Sequence, residues 1–295
     1  MAALLASTAK VLREPLASTF YLPKKKLFAC TFSALRTHVS ASPDKAVGGL
    51  PRFFVEKLPS LQGSTISIEG DEFWHMSKVL RLATDDRVEL FDGKGGIVEG
   101  VVTATSRNSI HITAAGDVFH LSPVGPFWHV AAAFGSLKGG RGDWLIEKCT
   151  ELGAKSVIPL LSKRSPSVSD GRNDRWNRVV TAATKQCQRL HSMVVRNPMD
   201  LSDILAEAGS YEAILLADAC ATSLGKGLPR VEVDWNGLLL IGPEGDFTEE
   251  EKEAIIKAGA LPVGLGPRRL RVETAAIAML SAVTLLGDSQ CSTGT

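Results

Sequence analysis

Leu238-Leu239-Leu240-Ile241-Gly242-Pro243-Glu244-Gly245-Asp246-Phe247-Thr248 holds the fold in miniature: an unbroken apolar run, a glycine-proline turn, then the start of a helix. A short run with no polar alternation is what a parallel strand covered on both faces requires. Thr248 followed by Glu251 fits a capping box, which starts a helix over 249–258. The same order recurs downstream. An apolar run at 262–265 ends in Gly266-Pro267-Arg268-Arg269-Leu270-Arg271, and Val272-Glu273-Thr274-Ala275-Ala276 begins the next helix. Ligands of open α/β sheets bind where strands end, so these two loops are the first candidate site.

Further strands are expected at 128–134, Ser156–Leu161 and Ala213–Ala217. Between them, 143–152 repeats apolar residues at 145, 146, 149 and 152 and stops at Gly153, a helix-terminating glycine. The segment 173–190 places Trp176, Val179, Val180, Ala183, Cys187 and Leu190 on one stripe. Strands alternating with helices predict an α/β domain with a mainly parallel sheet over 124–288, followed by a tail at 289–295. The longest apolar stretch, 272–287, is broken by polar residues and falls short of the ~20 residues of a membrane span; it reads as a packed helix and no membrane partner is expected.

Residues 49–120 are patterned differently. Short alternating strands around 52–55, Thr65–Ile68, Arg87–Phe91, 97–103 and 109–113, with Gly/Asp turns, predict a small β-barrel. One helix interrupts it over 72–81, with 73, 76, 79 and 80 on one face. A proline- and glycine-containing linker at 121–126 joins the two regions. Gly93-Lys94-Gly95-Gly96 lies in a hairpin and lacks dinucleotide-binding spacing.

The net charge of +1 conceals segregation. Residues 124–200 hold 12 basic against 6 acidic side chains, and residues 1–50 hold 7 against 2. A basic block on a near-neutral chain points to a polyanionic partner or to a solvated helix face. Residues 1–48, rich in Ala, Ser, Thr and Leu and poor in acids, have the composition of an organellar transit peptide. Their serine and threonine content favours a chloroplast, with the mitochondrion as the alternative. The five cysteines are scattered and no metal-ligand spacing occurs, so neither a zinc site nor a disulfide framework is expected. No P-loop, Gly-x-Ser-x-Gly or HExxH motif is present.

Three arginines, Arg268, Arg269 and Arg271, stand beside Glu273 and Thr274 between a buried strand and an apolar helix. Guanidinium forks suit phosphate and carboxylate. Lys138-Gly139-Gly140-Arg141 precedes another helix, where an anion is favoured. Lys163-Arg164, Gln186 and Arg189 extend a polar, basic edge.

Together, Lys138-Gly-Gly-Arg141, Glu147-Lys148-Cys-Thr-Glu151-Leu-Gly153, Ile241-Gly-Pro-Glu-Gly245 and Leu265-Gly-Pro-Arg268-Arg269-Leu-Arg271-Val-Glu273-Thr274 resemble the RsmE-type small-subunit rRNA uracil-N3 methyltransferases of the SPOUT superfamily. Arg52-Phe53-Phe54, Val79-Leu80-Arg81 and Leu90-Phe91-Asp92-Gly93 extend the likeness towards the N-terminus, over about residues 50–288. The resemblance implies a PUA-like barrel, a trefoil-knotted methyltransferase domain, a homodimer and S-adenosylmethionine as methyl donor. It assigns the donor to Leu216, Ala217, Ile241, Gly242, Pro243, Glu244, Gly245, Leu265, Gly266, Arg268, Leu270 and Thr274. Arg271, Arg141 and Glu273 become candidates for the chemistry. Arg52, Lys78, Arg81, Lys138, Lys148, Arg164, Gln186 and Arg189 become candidates for small-subunit rRNA or an assembling ribosomal subunit.

The chain departs from the family at three places. Asp246 stands where a second glycine is usual and needs a strained backbone or space there; Lys185 replaces a usual glutamate; Arg269 replaces an aliphatic residue. A non-catalytic ribosome-assembly factor of the same fold is the alternative that Asp246 favours.

Overall fold

The structure is a computed structural model that describes residues 49–134, 140–165, 172–227 and 235–292, the side chains of 226–227 and 288–292 excepted. The transit-peptide expectation and Lys138 lie outside the described residues; of the tail expected at 289–295, residues 289–292 belong to the last helix and 293–295 lie outside the described residues.

The N-terminal part is a six-stranded sheet of β1 (Arg52–Phe54), β2 (Thr65–Ile68), β3 (Arg87–Phe91), β4 (Gly96–Thr105), β5 (Ile110–Ala114) and β6 (Phe119–His120). Its order is β1-β3-β4-β5-β2 with β6 on β4, antiparallel except for β1 beside β3. Alternation turns Val88, Leu90, Val98, Val102, Ile110 and Ile112 into one core with Phe53 and Met76.

The expected single helix over 72–81 is corrected. It runs as α1 (Gly70–Trp74) and then as one π-helical turn, His75–Val79. Each π turn holds more residues than an α turn, so the 3.6-residue spacing fails. Met76 stays buried while Val79 reaches solvent.

The C-terminal part contains β7 (Phe127–Ala132), α2 (Arg141–Glu151), β8 (Ser156–Leu161), α3 (Arg172–Cys187), β9 (Val194–Val195), β10 (Met199–Asp200) and α4 (Leu201–Ala206). After them come β11 (Ala213–Ala217), α5 (Leu224–Gly227), β12 (Asn236–Ile241), α6 (Glu249–Lys257), β13 (Leu261–Val263) and α7 (Val272–Ser292). The sheet order is β10-β8-β7-β12-β11-β13 with β9 on β8, and every pairing among the described residues is parallel.

Successive strand residues point to opposite faces, and the two cores follow that rule. Leu239 and Ile241 face the core built with α2, α3 and α7; Leu238 and Leu240 face the one built with α4 and α6. That double burial is why these strands read as continuous apolar runs. Helix α3 ends at Cys187, short of the expected Leu190, because Gln188 takes a left-handed φ of 54°.

The hairpin turn between β3 and β4 docks onto the chain after α3. Gly95 N–H donates to Leu190 O at 2.8 Å and Ser192 N–H to Gly93 O at 2.7 Å. Both glycines have positive φ, 67° at Gly93 and 95° at Gly95, and a Cβ on Gly93 would lie 2.5 Å from Ser192 Oγ. The glycine-rich turn is therefore shaped for contact between the two regions. Lys185 adds to this contact, its ammonium 3.6 Å from Glu72 and 5.2 Å above the Phe54 ring. The family's glutamate position thus carries a cross-domain cation here.

Candidate functional site

Strands β11, β12 and β13 all end on the same side of the parallel sheet, and a cavity of about 590 Å³ opens there. That volume is within the range of small-molecule sites, ~300–1,000 Å³. Its walls are three strand-to-helix connections: 217–220 after β11, 241–246 after β12, and 265–270 after β13. The first turn of α7 closes one side through Val272 and Ala275.

Of the residues assigned to a ligand, Ala217, Ile241, Gly242, Pro243, Glu244, Leu265, Gly266, Arg268 and Leu270 line this cavity. Leu216 lies one residue deeper, buried in the sheet opposite Leu240 and Pro262. Gly245 is on the rim, where its carbonyl accepts from Arg164 Nη1 at 2.7 Å. Thr274 is exposed and does not line the cavity, whereas Ala275 does.

Much of the lining is main chain. Among the described residues, the N–H groups of Leu265, Gly266 and Leu270 donate to no other main-chain group. Gly266 sits at φ 103°, a conformation that L side chains rarely adopt. A wall of free peptide groups over apolar Ile241, Val263 and Leu265 suits a nucleoside: the base packs on the apolar surface while peptide groups meet its polar edge.

The charged lining was only partly legible. Arg269 Nη2 donates to Glu244 O at 2.5 Å and so ties the third loop to the second. Asp218, Lys252 and Asp246 also line the cavity. Lys252 Nζ lies 2.8 Å from Asp246 Oδ2 and 3.9 Å from Asp218 Oδ2. Its pKa is raised, first by the hydrogen bond to Asp246. Asp246 takes φ 63° and accepts from Phe247 N–H at 2.8 Å. The strain expected at this position is therefore real, and its carboxylate is engaged from two directions. Nothing in the sequence marks Lys252, which reads as one lysine on an acidic, solvated helix.

Beside the cavity, Arg141 at the start of α2 reaches Glu273 in the first turn of α7, with Nη1 3.4 Å from Oε1. Glu273 is buried, and its Oε2 has no hydrogen-bond partner among the described residues. Arg271, which precedes α7, is exposed and outside the cavity lining.

The remaining basic candidates are dispersed. Lys78 and Arg81 are exposed on the barrel, and no ion pair reaches either among the described residues. Arg52 is already paired, donating through Nε and Nη2 to Glu89 Oε2 at 3.0 and 2.8 Å. The ammonium of Lys148 sits between Glu147 and Glu151 at 2.6 and 2.8 Å. Gln186 lines a second cleft of about 330 Å³ between barrel and α3, together with Arg52, His75 and Lys185.

Arg189 is engaged within the protein. Its guanidinium donates to the carbonyls of Thr150, Gly153 and Ala154 at 3.0, 3.3 and 2.7 Å, satisfying the end of α2. The basic block is in large part locally compensated, by Arg175 with Asp143, Arg196 with Glu207 and Lys163 with Glu250. Of the two readings of the basic block, a polyanionic partner or a solvated helix face, these pairs fit the second.

Cys220 is exposed and lines the cavity, whereas Cys149 is buried and Cys187 half-buried. Burial pushes the Cys149 thiol up to about 12 and raises that of Cys187, and no metal-binding cluster occurs among the described residues.

Comparison with known proteins adds to this geometry. Residues 125–284 match the family described as "RNA methyltransferase domain", and residues 68–114 match "RNA methyltransferase PUA domain". Ribosomal RNA small subunit methyltransferase E of Mycobacterium tuberculosis is 30% identical over 79% of this chain and 91% of its own. The Bacillus subtilis protein of the same name is 28% identical over 80% and 96%. The structure of the Neisseria gonorrhoeae protein of that name, bound to S-adenosyl methionine, superposes with a TM-score of 0.66 at 26% identity, covering 80% and 98%.

Proposed function

This chain belongs to the family of ribosomal RNA small subunit methyltransferases E, and we propose that it transfers a methyl group to N3 of a uridine in small-subunit ribosomal RNA. The observation that carries the reading is the cavity at the ends of β11, β12 and β13, walled by main chain of the 241–246 and 265–270 loops. S-adenosylmethionine, the donor bound by the Neisseria relative, supplies a methyl group on a sulfonium that a deprotonated imide nitrogen can accept. Its nucleoside suits the peptide-lined wall, held by Gly242, Leu265, Gly266 and Leu270 above Ile241.

N3 of uracil is an imide nitrogen: its proton passes to solvent, and the bond from sulfur to the methyl group breaks as the N3–methyl bond forms, with the neutral thioether as leaving group. Negative charge left by the proton spreads to O2 and O4, and fixed cationic donors aimed there lower the barrier. Arg271, exposed beside the cavity, and Arg141 are assigned that task. Glu273 holds Arg141 through Oε1, so it acts as a positioning residue. N3 lies on the pairing edge, so the uridine has to be unpaired or turned out of its helix to reach the cavity. Lys78 and Arg81 on the barrel grip phosphates, contacts that position RNA without reading its sequence. Arg52, Lys148, Arg164 and Arg189, already engaged within the protein, hold the surface in shape.

Nucleoside mass spectrometry of small-subunit rRNA from cells lacking this protein tests the proposal. Loss of N3-methyluridine is expected, and an unchanged level overturns it. The alternative, a non-catalytic assembly factor, is favoured by Asp246 alone. The engagement of that carboxylate by Lys252 and Phe247 N–H supports a loop that still accepts a donor. Calorimetric titration with S-adenosylmethionine separates the two readings.

We further infer a homodimer, in keeping with the family resemblance and with exposed Trp144 on α2 and Leu285 on α7; light scattering that gives a monomer refutes it. Residues 1–48 are inferred to direct import into a chloroplast, with the mitochondrion as the alternative. A fluorescent fusion of that segment decides.

A further inference from the structure

Two features of the cavity belong together although they come from different elements. Asp246 occupies a left-handed corner, φ 63°, at the end of the 241–246 loop. Lys252, on the second turn of α6, reaches back to it at 2.8 Å and across to Asp218, on the loop after β11, at 3.9 Å. All three side chains line the cavity. A non-glycine residue in this conformation is strained by roughly 1–3 kcal/mol. Aspartate is among the side chains that tolerate it best, because its short polar arm can bond locally. Here that arm accepts from Phe247 N–H at 2.8 Å and from the lysine.

Without the lysine, Asp218, Glu244 and Asp246 would bring three carboxylates to one wall of the cavity. Arg269 contacts Glu244 only through its main-chain carbonyl, and no ion pair other than that with Lys252 reaches Asp218 or Asp246 among the described residues. Mutual repulsion would drive the loops after β11 and β12 apart, because like charges at a shared site disfavour the compact arrangement. With the lysine in place, one ammonium ties both loops.

We propose that Lys252 is a positioning residue of the donor site, bridging Asp246 and Asp218 so that a charge pair fixes the loop corner that a glycine would form by conformation alone. The proposal rests on reading this cavity as the donor site. It assigns Lys252 no contact with the reacting atoms. It also explains why an aspartate can stand in this loop: Asp246 and Lys252 act as a unit, and either alone is worse than neither.

Calorimetric titration of the folded full-length chain with S-adenosylmethionine tests this, with thermal unfolding measured on the same samples. Lys252→Met is expected to raise the donor Kd about tenfold, a coupling of ordinary size for residues in direct contact. Lys252→Arg should stay within about threefold of the parent. Adding Asp246→Gly to Lys252→Met should bring the affinity back to within about threefold, since the corner then needs no partner. Unchanged affinity in Lys252→Met overturns the proposal. So does a double variant as weak as the single one, or a fall in Tm with donor affinity intact, which would mark a purely structural role. If the folded parent chain itself binds no donor, the reading of the cavity fails, and the proposal falls with it. The parent titration therefore distinguishes the two failures.

Discussion

Arg269, on the loop after β13, donates a hydrogen bond to the main-chain carbonyl of Glu244, on the loop after β12, at 2.5 Å. The two loops come from different strands of the sheet, and this guanidinium joins their tips across the cavity. Hydrogen bonds with a charged donor contribute about 1.5–3 kcal/mol. Arg269→Ala is expected to weaken S-adenosylmethionine binding by about tenfold in calorimetry, each 1.4 kcal/mol being a factor of ten. An unchanged Kd would show that the tie is incidental.

Arg271 has a different expected signature. It lies outside the cavity lining, so Arg271→Ala should leave the donor Kd within about threefold while methylation of rRNA falls by about 10² or more, as for loss of one charge-stabilising donor. Single-turnover methylation with labelled donor measures this. Turnover at the parental rate refutes the role.

Arg189 should behave as a structural residue. Arg189→Ala removes the guanidinium from the carbonyls of Thr150, Gly153 and Ala154; Thr150 O still accepts from Gly153 N–H and Gly153 is exposed, so Ala154 O, in a buried residue, is the acceptor left without a donor. A loss of about 1–3 kcal/mol in urea unfolding is expected. The salt dependence of RNA binding, measured on the folded variant, should not change. A shallower salt slope with parental stability would restore Arg189 to the RNA-binding surface.

How much of this was legible in the sequence depended on how local its cause is. Strands Ser156–Leu161 and Ala213–Ala217 end where their apolar runs end, because burial on both faces writes itself into every residue. The capping box of Thr248 and Glu251 was readable for the same reason: both partners are three residues apart, and both hydrogen bonds form. The π turn at His75–Val79 was not, because nothing in the residue pattern records a change of pitch. Within the site, glycines and prolines marked the loops. Lys252 escaped notice because its partners are assembled only by the fold, and a lone cation in a helix looks the same whether it faces solvent or a carboxylate; Arg189 was noticed for its charge, but the carbonyls it donates to were not legible. Arg269, noticed as one of three arginines and as a departure, joins two loops.

Gly93→Ala tests the contact between the two regions. The added methyl meets Ser192 Oγ at 2.5 Å and forces a side chain into φ 67°, a strain of about 1–3 kcal/mol. Reduced unfolding cooperativity is expected, with the barrel melting apart from the parallel-sheet domain. A single unchanged transition would mean that the hairpin contact carries little energy.

His129 makes stability depend on pH. It hydrogen-bonds with Ser156 Oγ at 2.7 Å and stacks edge-on against Tyr211. Burial lowers its pKa, partly offset by the Asn236 side chain, while Arg196 and Lys155 lower it further. Above the ordinary value of 6.5 the group is neutral in both states. Below it, the unfolded chain takes up a proton that the folded one resists, so stability falls with pH. Between about pH 7.5 and about pH 5, the urea midpoint should drop further in the parent than in His129→Gln. Equal drops would exclude His129 as the source.

The hairpin contact bears on target choice. Main-chain hydrogen bonds from Gly95 to Leu190 and from Ser192 to Gly93, with His191 Nε2 2.8 Å from Leu121 O, leave the barrel little freedom to swing. On the function proposed above, a barrel that grips phosphates and a cavity that serves one target base would be set at a fixed reach. Such an enzyme would measure distance along folded RNA: a base in the wrong place would fail because it could not arrive, whatever its neighbours spell.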